Sequence, residues 1–165
     1  MPFSLLPTVI FEQVSQITPE FLANRGIRLL MLDFDNTIVP YTTATPTGEV
    51  SDWLSQMKAS DIHICVVSNS RKSRVQIFCR EWGIDCITHA NKPFQNGISR
   101  CLSRYGVSPE NAAIVGDQIF TDTLGGNCGG MTTILVRAIH NHNIWLKLRH
   151  VAELPFIFLA RNRRV

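Results

Sequence analysis

Short apolar runs alternate with amphipathic stretches along most of this chain. Uninterrupted apolar runs are typical of strands that are covered on both faces. These runs, with one shorter segment, predict strands at about 27–32, 62–67, 86–88, 112–115 and 132–136. The stretches between them carry apolar residues at helical spacing, as in the set Val50, Trp53, Leu54 and Met57.

Local signals mark where the predicted helices begin and end. Thr18 and Thr45 each stand before a proline, and a capping threonine followed by proline is typical of a helix start. Gly26, Gly83 and Gly106 follow amphipathic stretches and are typical helix stops. Strands that alternate with helices predict an α/β fold, here a Rossmann-like three-layer sandwich with a mainly parallel central sheet and helices on both faces.

The length of 165 residues suits a single domain. We divide it into a helical lead-in at 1–26, a core at 27–137 and a basic amphipathic segment at 138–165. The five cysteines are scattered without CxxC spacing, which predicts free thiols in a reducing compartment. The first residues lack the basic start and the apolar run of a secretory signal, and no run approaches the roughly 20 apolar residues of a membrane span. We therefore expect a cytoplasmic protein.

Polar residues follow four of the predicted strands where each strand ends. They are Asp33 and Asp35, then Ser68 and Asn69, then Lys92, and finally Gly116 and Asp117 with Asp122 a little further on. In an open parallel sheet the carboxyl ends of the strands form the ligand-binding edge, so these side chains can converge on one crevice. Two carboxylates as close as Asp33 and Asp35 repel each other, which favours a hard cation such as Mg²⁺ beside them.

These segments resemble, in the same order, the four motifs of the haloacid dehalogenase-like (HAD) phosphohydrolase superfamily. The resemblance runs nearly end to end and is closest to the capless type IIIA, YqeG-type branch, which includes phosphatidylglycerophosphate phosphatases. It rests on Leu5-Leu6-Pro7, the helix start 17–20, Val67-Ser68-Asn69, Lys92-Pro93 and the string from Gly116 to Asn127. The sequence departs from that branch at Ser70, where a second asparagine is expected.

The resemblance implies a role for each site residue. Asp33 would be the nucleophile that becomes an aspartyl-phosphate, and Asp35 would protonate the leaving group and then activate water. The Asp33 carboxylate, the Asp35 main-chain carbonyl and Asp117 would hold Mg²⁺. Phosphate binding would fall to Ser68, Asn69, Lys92 and Thr37, and Thr37 would also fix the turn after the first predicted strand. Gly116 and Asp122 would support the site. Asp122 would orient Lys92 or a metal-bound water.

Taken alone, each of these residues also has a structural explanation. Asp33 and Asp35 could form a turn, Ser68 and Asn69 could cap a helix, and Lys92 could be a solvated surface residue. The ordered set of four motifs favours the catalytic interpretation. We interpret the histidines (His63, His89, His140, His142 and His150) as structural or surface residues. Arg71, Lys72 and Arg74 either form a solvated face or meet a second phosphate of the substrate.

The spacing of the motifs leaves no room for a cap domain. Asp35 to Ser68 accommodates one helix and one strand, and Ser68 to Lys92 accommodates one helix and one short strand. The site should therefore be open. An open site suits a large substrate, or one presented on a surface, better than a small metabolite that must be enclosed.

The basic residues concentrate at the end of the chain. From Arg137 onward there are six basic residues and one acidic residue, a net charge of +5, so the +3 of the whole chain leaves −2 for the rest. This segment mixes apolar and basic residues, as in interfacial membrane helices, although a helix packed on the sheet with a frayed basic end fits it equally well.

We therefore expect a magnesium-dependent phosphatase that acts on phosphatidylglycerophosphate, in peripheral contact with an anionic membrane such as the inner membrane surface or its organelle equivalent. The alternatives are a phosphatase of phosphoproteins or of small soluble phosphate esters, and a non-catalytic HAD-like binding module. No nucleic-acid partner is expected, because the sequence lacks basic residues interleaved with aromatic ones. The sequence does not determine the oligomeric state.

Overall fold

A computed structural model describes residues 4–71, 73–139 and 144–161 of the chain. In these ranges the strands form one six-stranded sheet. The strands are β1 (Val9–Phe11), β2 (Leu29–Leu32), β3 (His63–Val67), β4 (Asp85–Ile87), β5 (Ala112–Gly116) and β6 (Thr132–Val136). The helices are α1 (Pro19–Ala23), α2 (Gly48–Lys58), α3 (Ser73–Trp82), α4 (Gln95–Tyr105), α5 (Leu124–Gly129) and α6 (Ile144–Arg161).

All neighbouring strands are parallel, in the order β1-β6-β5-β2-β3-β4. The chain runs outward from β2 in two directions, first through β3 and β4 and later through β5 and β6. The strand order therefore reverses beside β2, and a crevice opens at the carboxyl ends of strands at such a point. The predicted α/β class and parallel sheet are confirmed.

Residues of β2 alternate between the two faces of the sheet. Leu30 and Leu32 enter a core shared with residues of α1, α2 and α3, whereas Leu29 and Met31 enter a second core with residues of α4. All four are fully buried, and burial of one such side chain stabilises a fold by roughly 1.5–3 kcal/mol. This double coverage explains why β2 has no polar residue before Asp33.

Two local predictions need correction. The lead-in is not only helical, because β1 lies within it and pairs with β6 at the edge of the sheet. Helix α2 begins at Gly48, where the hydroxyl of Thr47 accepts a hydrogen bond from the Val50 N–H, and not at the Thr45-Pro46 signal.

No cap domain occurs among the described residues between Asp35 and Lys92. The first interval holds α2 and β3, and the second holds α3 and β4. The segment from 40 to 47 has no helix or strand and is largely exposed. The site is therefore bordered on this side by a short loop.

Helix α6 packs against the core and also presents apolar side chains to solvent. Its buried Glu153 accepts a hydrogen bond of 2.9 Å from the Ile119 N–H, and Phe156 meets Phe120 edge-on with ring centroids 6.4 Å apart. Leu154, Phe158 and Leu159 are between 48% and 66% exposed. Among the described helices none is both long and apolar enough to cross a membrane.

Candidate active site

Asp33 lies directly beyond the end of β2. Its N–H donates a hydrogen bond of 2.8 Å to the Val115 carbonyl, which extends the β2–β5 pairing by one residue. The backbone of Asp33 is therefore fixed by the sheet, and its side chain is buried. A carboxylate in this position is held rigidly and shielded from bulk water.

Lys92 reaches the same place from the loop after β4. Its Nζ lies 2.7 Å from Asp33 Oδ1 and 2.6 Å from Asp122 Oδ1, and the lysine is buried. Burial alone would lower the pKa of Lys92, but the charges of Asp122 and Asp33 and their hydrogen bonds outweigh it and raise the pKa. Lys92 is thus a fixed positive charge beside Asp33.

Three carboxylates converge around this lysine. One oxygen each from Asp33, Asp117 and Asp122 lies within 4.8 Å of the other two. Burial, together with the charges of Asp33 and Asp122, raises the pKa of Asp117 well above its usual value. Burial also raises the pKa of Asp122 to about 6, although Lys92 opposes the shift. Since one ammonium faces three carboxylates, the cluster has an excess of negative charge.

This cluster fits a hard divalent cation. Asp117 Oδ1 is buried and has no hydrogen-bond partner among the described residues. Buried polar atoms are normally paired, and carboxylate oxygens are the ligands that magnesium prefers. Asp33 and Asp117 belong to the predicted ligand set, and Asp122 lies within reach as well. The main-chain carbonyl of Asp35 stays a predicted third ligand. The Asp35 carboxylate itself pairs with an arginine.

Gly116 makes room for Asp122. A Cβ atom at Gly116 would overlap the Asp122 carboxylate, so the strand end and the acid can approach this closely only with glycine there. The same approach brings Asp122 to Lys92. The supporting place of Gly116 in the site is therefore steric.

The Ser68-Asn69 segment is tied to the lysine loop by a reciprocal pair of hydrogen bonds. Asn69 Oδ1 accepts from the Lys92 N–H at 2.7 Å, and Asn69 Nδ2 donates to the Lys92 carbonyl at 2.9 Å. Ser68 is buried, and its hydroxyl accepts from the Ser70 N–H at 3.1 Å. The Asn69 side chain therefore fixes Lys92, a role that the sequence analysis missed because it considered Asn69 only as a phosphate-binding residue.

Asp35 faces the open side of the site. Its carboxylate forms an ion pair with Arg74 at the start of α3, and both side chains are only partly buried. Asn36 follows with φ +60°, a conformation that asparagine tolerates better than most residues. Its Oδ1 accepts from the Tyr41 N–H at 3.1 Å, and this turn brings Tyr41 to the mouth of the site.

A cavity of about 220 Å³ extends from Asp33 and Lys92 to the open side of the site at Asp35. It is lined by Asp33, Asp35, Ser68, Asn69 and Lys92, and also by Asn36, Tyr41, Ser70, Gln118 and Thr121, which the sequence analysis did not single out as binding residues. Thr37 is not part of this lining. It is buried in the turn after β2, and its phosphate-binding role stays a prediction.

Comparisons with known proteins relate this chain to a family and to individual relatives. The family described as mitochondrial PGP phosphatase matches residues 1–140. The probable phosphatase YqeG of Bacillus subtilis is 35% identical over 131 residues, which cover 79% of this chain and 76% of that protein. The chain belongs to this PGP phosphatase family of HAD-like phosphatases.

A plant relative and a solved structure extend the likeness of this HAD-like phosphatase. Phosphatidylglycerophosphate phosphatase 1, chloroplastic/mitochondrial, of Arabidopsis thaliana is 28% identical over 95% of this chain, but the chain spans only 48% of that protein. The cobalt-bound deoxy-D-mannose-octulosonate 8-phosphate phosphatase of Haemophilus influenzae has a TM-score of 0.55 at 14% identity, with coverage of 76% of this chain and 75% of that chain. At that identity the structural likeness supports the fold alone.

The remaining sequence candidates are not among the residues that line the phosphatase cavity, or they lie outside the described residues. His63 is exposed, and its ring lies 5.0 Å from that of Tyr105. His89 is exposed near Thr88, Arg71 is exposed, and all five cysteines are free thiols. Lys72, His140, His142, Arg163 and Arg164 lie outside the described residues, as does the side chain of His150 in α6.

Proposed function

We propose that this phosphatase hydrolyses phosphomonoesters with Mg²⁺ through a phosphorylated Asp33, and that its substrate is phosphatidylglycerophosphate. The observation that supports the chemistry best is the position of Asp33. On one side of Asp33 lies the buried cluster of Lys92, Asp117 and Asp122, and on the other side lies Asp35. A nucleophile with an acid–base group beside it is the arrangement that two-step phosphoryl transfer needs.

In the first step the Asp33 carboxylate attacks phosphorus, and the bond from phosphorus to the ester oxygen breaks. Asp35 gives its proton to the departing alkoxide. Lys92, already fixed at 2.7 Å from Asp33 Oδ1, offers positive charge to the phosphoryl oxygens, and Ser68 and Asn69 lie at the same cavity wall.

In the second step water attacks phosphorus of the aspartyl-phosphate while Asp35 takes its proton. Inorganic phosphate leaves, and the Asp33 carboxylate is restored. Asp33 and Asp117, with the predicted main-chain carbonyl of Asp35, would hold Mg²⁺. Its charge would offset the excess of carboxylates and lessen their repulsion of an anionic substrate.

The nucleophile is tested by Asp33→Asn, which keeps the size of the side chain and removes its charge. We expect magnesium-dependent release of phosphate from p-nitrophenyl phosphate to fall by at least about 10⁴-fold, a typical loss for a nucleophile. The far-ultraviolet circular dichroism should not change. Retained turnover in a folded Asp33→Asn protein would exclude Asp33 as the nucleophile.

Two features near the site support a lipid substrate, in addition to the family match. First, the cavity is open, and no cap domain encloses it within the part of the chain that the structure describes. Second, a groove of about 300 Å³ runs between α6 and the β1–β6 edge and reaches Asp117. Arg137 and Arg161 line it together with Glu12, and both arginines pair with that glutamate. Ile10, Phe11, Leu135, Val136, Leu154 and Ile157 give the groove its apolar character. The apolar part of this groove suits the acyl chain of a phospholipid, and an anionic headgroup would compete with Glu12 for the two arginines.

The exposed apolar residues of α6 test peripheral membrane contact. Phe158→Ser combined with Leu159→Ser should lower turnover of phosphatidylglycerophosphate in anionic vesicles by about tenfold, since apolar area and nearby basic charge both contribute to interfacial binding. Turnover of soluble glycerol 3-phosphate should change less than about twofold, because side chains this exposed contribute little to the fold.

Ile77→Ser is the matched control, since Ile77 is 50% exposed on α3 and is not part of α6. Equal losses on vesicles and on the soluble ester would exclude a membrane role for α6. A phosphate-release screen with phosphopeptides and sugar phosphates distinguishes the lipid proposal from the other phosphatase substrates.

A further inference from the structure

Arg74 does not line the cavity itself, but its guanidinium contacts several groups of the segment that carries Asp35. It lies in the first turn of α3, and its side chain is 18% exposed. Its Nη2 pairs with Asp35 Oδ1. Its Nη1 donates hydrogen bonds to the carbonyl oxygens of Tyr41 at 2.9 Å and Thr43 at 2.6 Å.

Two aromatic rings also surround this guanidinium. Its carbon lies 5.2 Å from the ring centroid of Phe34 and 5.5 Å from that of Tyr41, within the range of cation–π attraction. Burial lowers the pKa of Arg74, but arginine stays charged in proteins. Every one of these contacts is made to the segment from 34 to 43, which carries Asp35 and one wall of the cavity.

These contacts argue against the second-phosphate interpretation of Arg74. Both terminal nitrogens already have partners in the protein, and a substrate phosphate would have to displace Asp35 or the Tyr41 and Thr43 carbonyls. The planar guanidinium can instead hold a carboxylate and a loop in fixed relative positions, because its donors point in set directions.

We propose that Arg74 is a positioning residue for proton transfer to the leaving group. It holds Asp35 Oδ1, which leaves Oδ2 to carry the proton, and it holds the Tyr41–Thr43 wall so that this oxygen faces the departing ester oxygen. As the bond from phosphorus breaks, the proton on Oδ2 passes to that ester oxygen and Asp35 becomes a carboxylate. The inference rests on the proposed function, in which Asp35 is the general acid.

This role can be tested with two substrates whose leaving groups differ in their need for a proton. Nitrophenolate leaves readily without protonation, whereas the alkoxide of glycerol 3-phosphate does not. The ratio kcat/KM reports the steps up to the first irreversible one, so it isolates phosphoryl transfer from the later attack of water.

We expect Arg74→Met to lower kcat/KM for glycerol 3-phosphate by about 10²-fold or more, which is the usual contribution of a well-placed general acid. The loss for p-nitrophenyl phosphate should be below about tenfold on the same basis. Arg74→Lys should restore part of the alkyl activity, since it keeps the charge but not the planar donor set. Arg80→Met is the control, since Arg80 is exposed on the same helix.

Asp35→Asn provides the reference for the selective loss. In the Asp35→Asn background, adding Arg74→Met should lower the alkyl kcat/KM little further, because both changes remove the same function. Equal losses on the two esters in Arg74→Met, or additive losses in the double variant, would overturn the inference and indicate a structural role for Arg74.

The failure of the proposed function gives a different result. If Asp35→Asn shows no preference between the two esters, Asp35 is not the general acid and the inference falls with that assignment. If Asp35→Asn is selective and Arg74→Met is not, the inference alone is wrong. A wild-type protein that hydrolyses neither these two esters nor phosphatidylglycerophosphate contradicts both.

Discussion

The two sides of Asp33 differ in how they hold charge. On the inner side Lys92, Asp117 and Asp122 are buried, and the lysine nitrogen lies within 2.7 Å of two carboxylates. On the outer side Asp35 and Arg74 form a partly exposed pair beside the exposed Tyr41. Both sides contain an ion pair, but only the inner one has carboxylates in excess.

The difference suits the two sides to different functions in one site. Buried charges interact strongly and are held by many neighbours, which suits a fixed field around a phosphoryl group. The partly exposed pair is close to the solvent-facing mouth, where leaving groups and water would arrive in the proposed mechanism. Loss of the inner charges should therefore affect folding as well as chemistry, whereas changes on the outer side should act mainly on chemistry.

The largest effect that separates the two sides is expected for Lys92→Met. This change leaves Asp33, Asp117 and Asp122 close together without their cation, and breaking a buried ion pair typically costs about 3–5 kcal/mol. We expect a loss of that size in the free energy of unfolding by urea, with no measurable turnover.

A second variant and added Mg²⁺ show whether the loss of stability comes from uncompensated carboxylates. Lys92→Met with Asp122→Asn should recover much of the stability but none of the activity, since it removes one uncompensated carboxylate. Added Mg²⁺ should stabilise Lys92→Met more than Lys92→Met with Asp122→Asn. If Lys92→Met has the same free energy of unfolding as the wild type, Lys92 does not compensate buried carboxylates in the inner cluster.

A steric change on the inner side should have a smaller effect. Gly116→Ala places a methyl group against the Asp122 carboxylate and should destabilise the protein by about 1–3 kcal/mol, the usual cost of overpacking. Turnover should fall as well, because Asp122 would move away from Lys92. Gly48→Ala is the control, since nothing lies within 4 Å of a Cβ atom there. Equal thermal unfolding of the two alanine variants would contradict the steric role of Gly116.

The smallest effect on stability is expected on the outer side. Tyr41→Ala removes a half-exposed ring whose centroid lies 5.5 Å from the guanidinium carbon of Arg74, and an exposed cation–π contact contributes about 0.5–1 kcal/mol. The free energy of unfolding should change by no more than that, while kcat/KM for glycerol 3-phosphate falls more than that for p-nitrophenyl phosphate. A loss of stability as large as that of Lys92→Met would show that the two sides do not differ.

Much of the inner side could be predicted from the sequence, because it depends on local patterns. The apolar runs before Asp33 and before Gly116-Asp117 predict buried parallel strands, and the ends of such strands meet at one edge. The order of the polar residues after the strands then brings Asp33, Lys92 and Asp117 together. No long-range contact has to be known for this step.

The outer side could not be predicted in the same way. The pairing of Asp35 with Arg74 depends on the direction in which α3 leaves β3, and the link from Asn69 to Lys92 depends on how two loops fold together. Strand β1 consists of only Val9, Ile10 and Phe11, an apolar run that is too short to indicate a strand by its periodicity. These features are set by tertiary packing and leave no local signal.

The most direct test of the account is to trap the phosphorylated enzyme. Acid quenching of the Asp35→Asn protein during turnover of p-nitrophenyl phosphate with Mg²⁺, followed by mass spectrometry of its peptides, should find one phosphoryl group on Asp33. Asparagine at 35 should slow the attack of water and let this species accumulate. Steady release of inorganic phosphate with no phosphoryl group on Asp33, or with one on a different residue, would contradict the central role of Asp33.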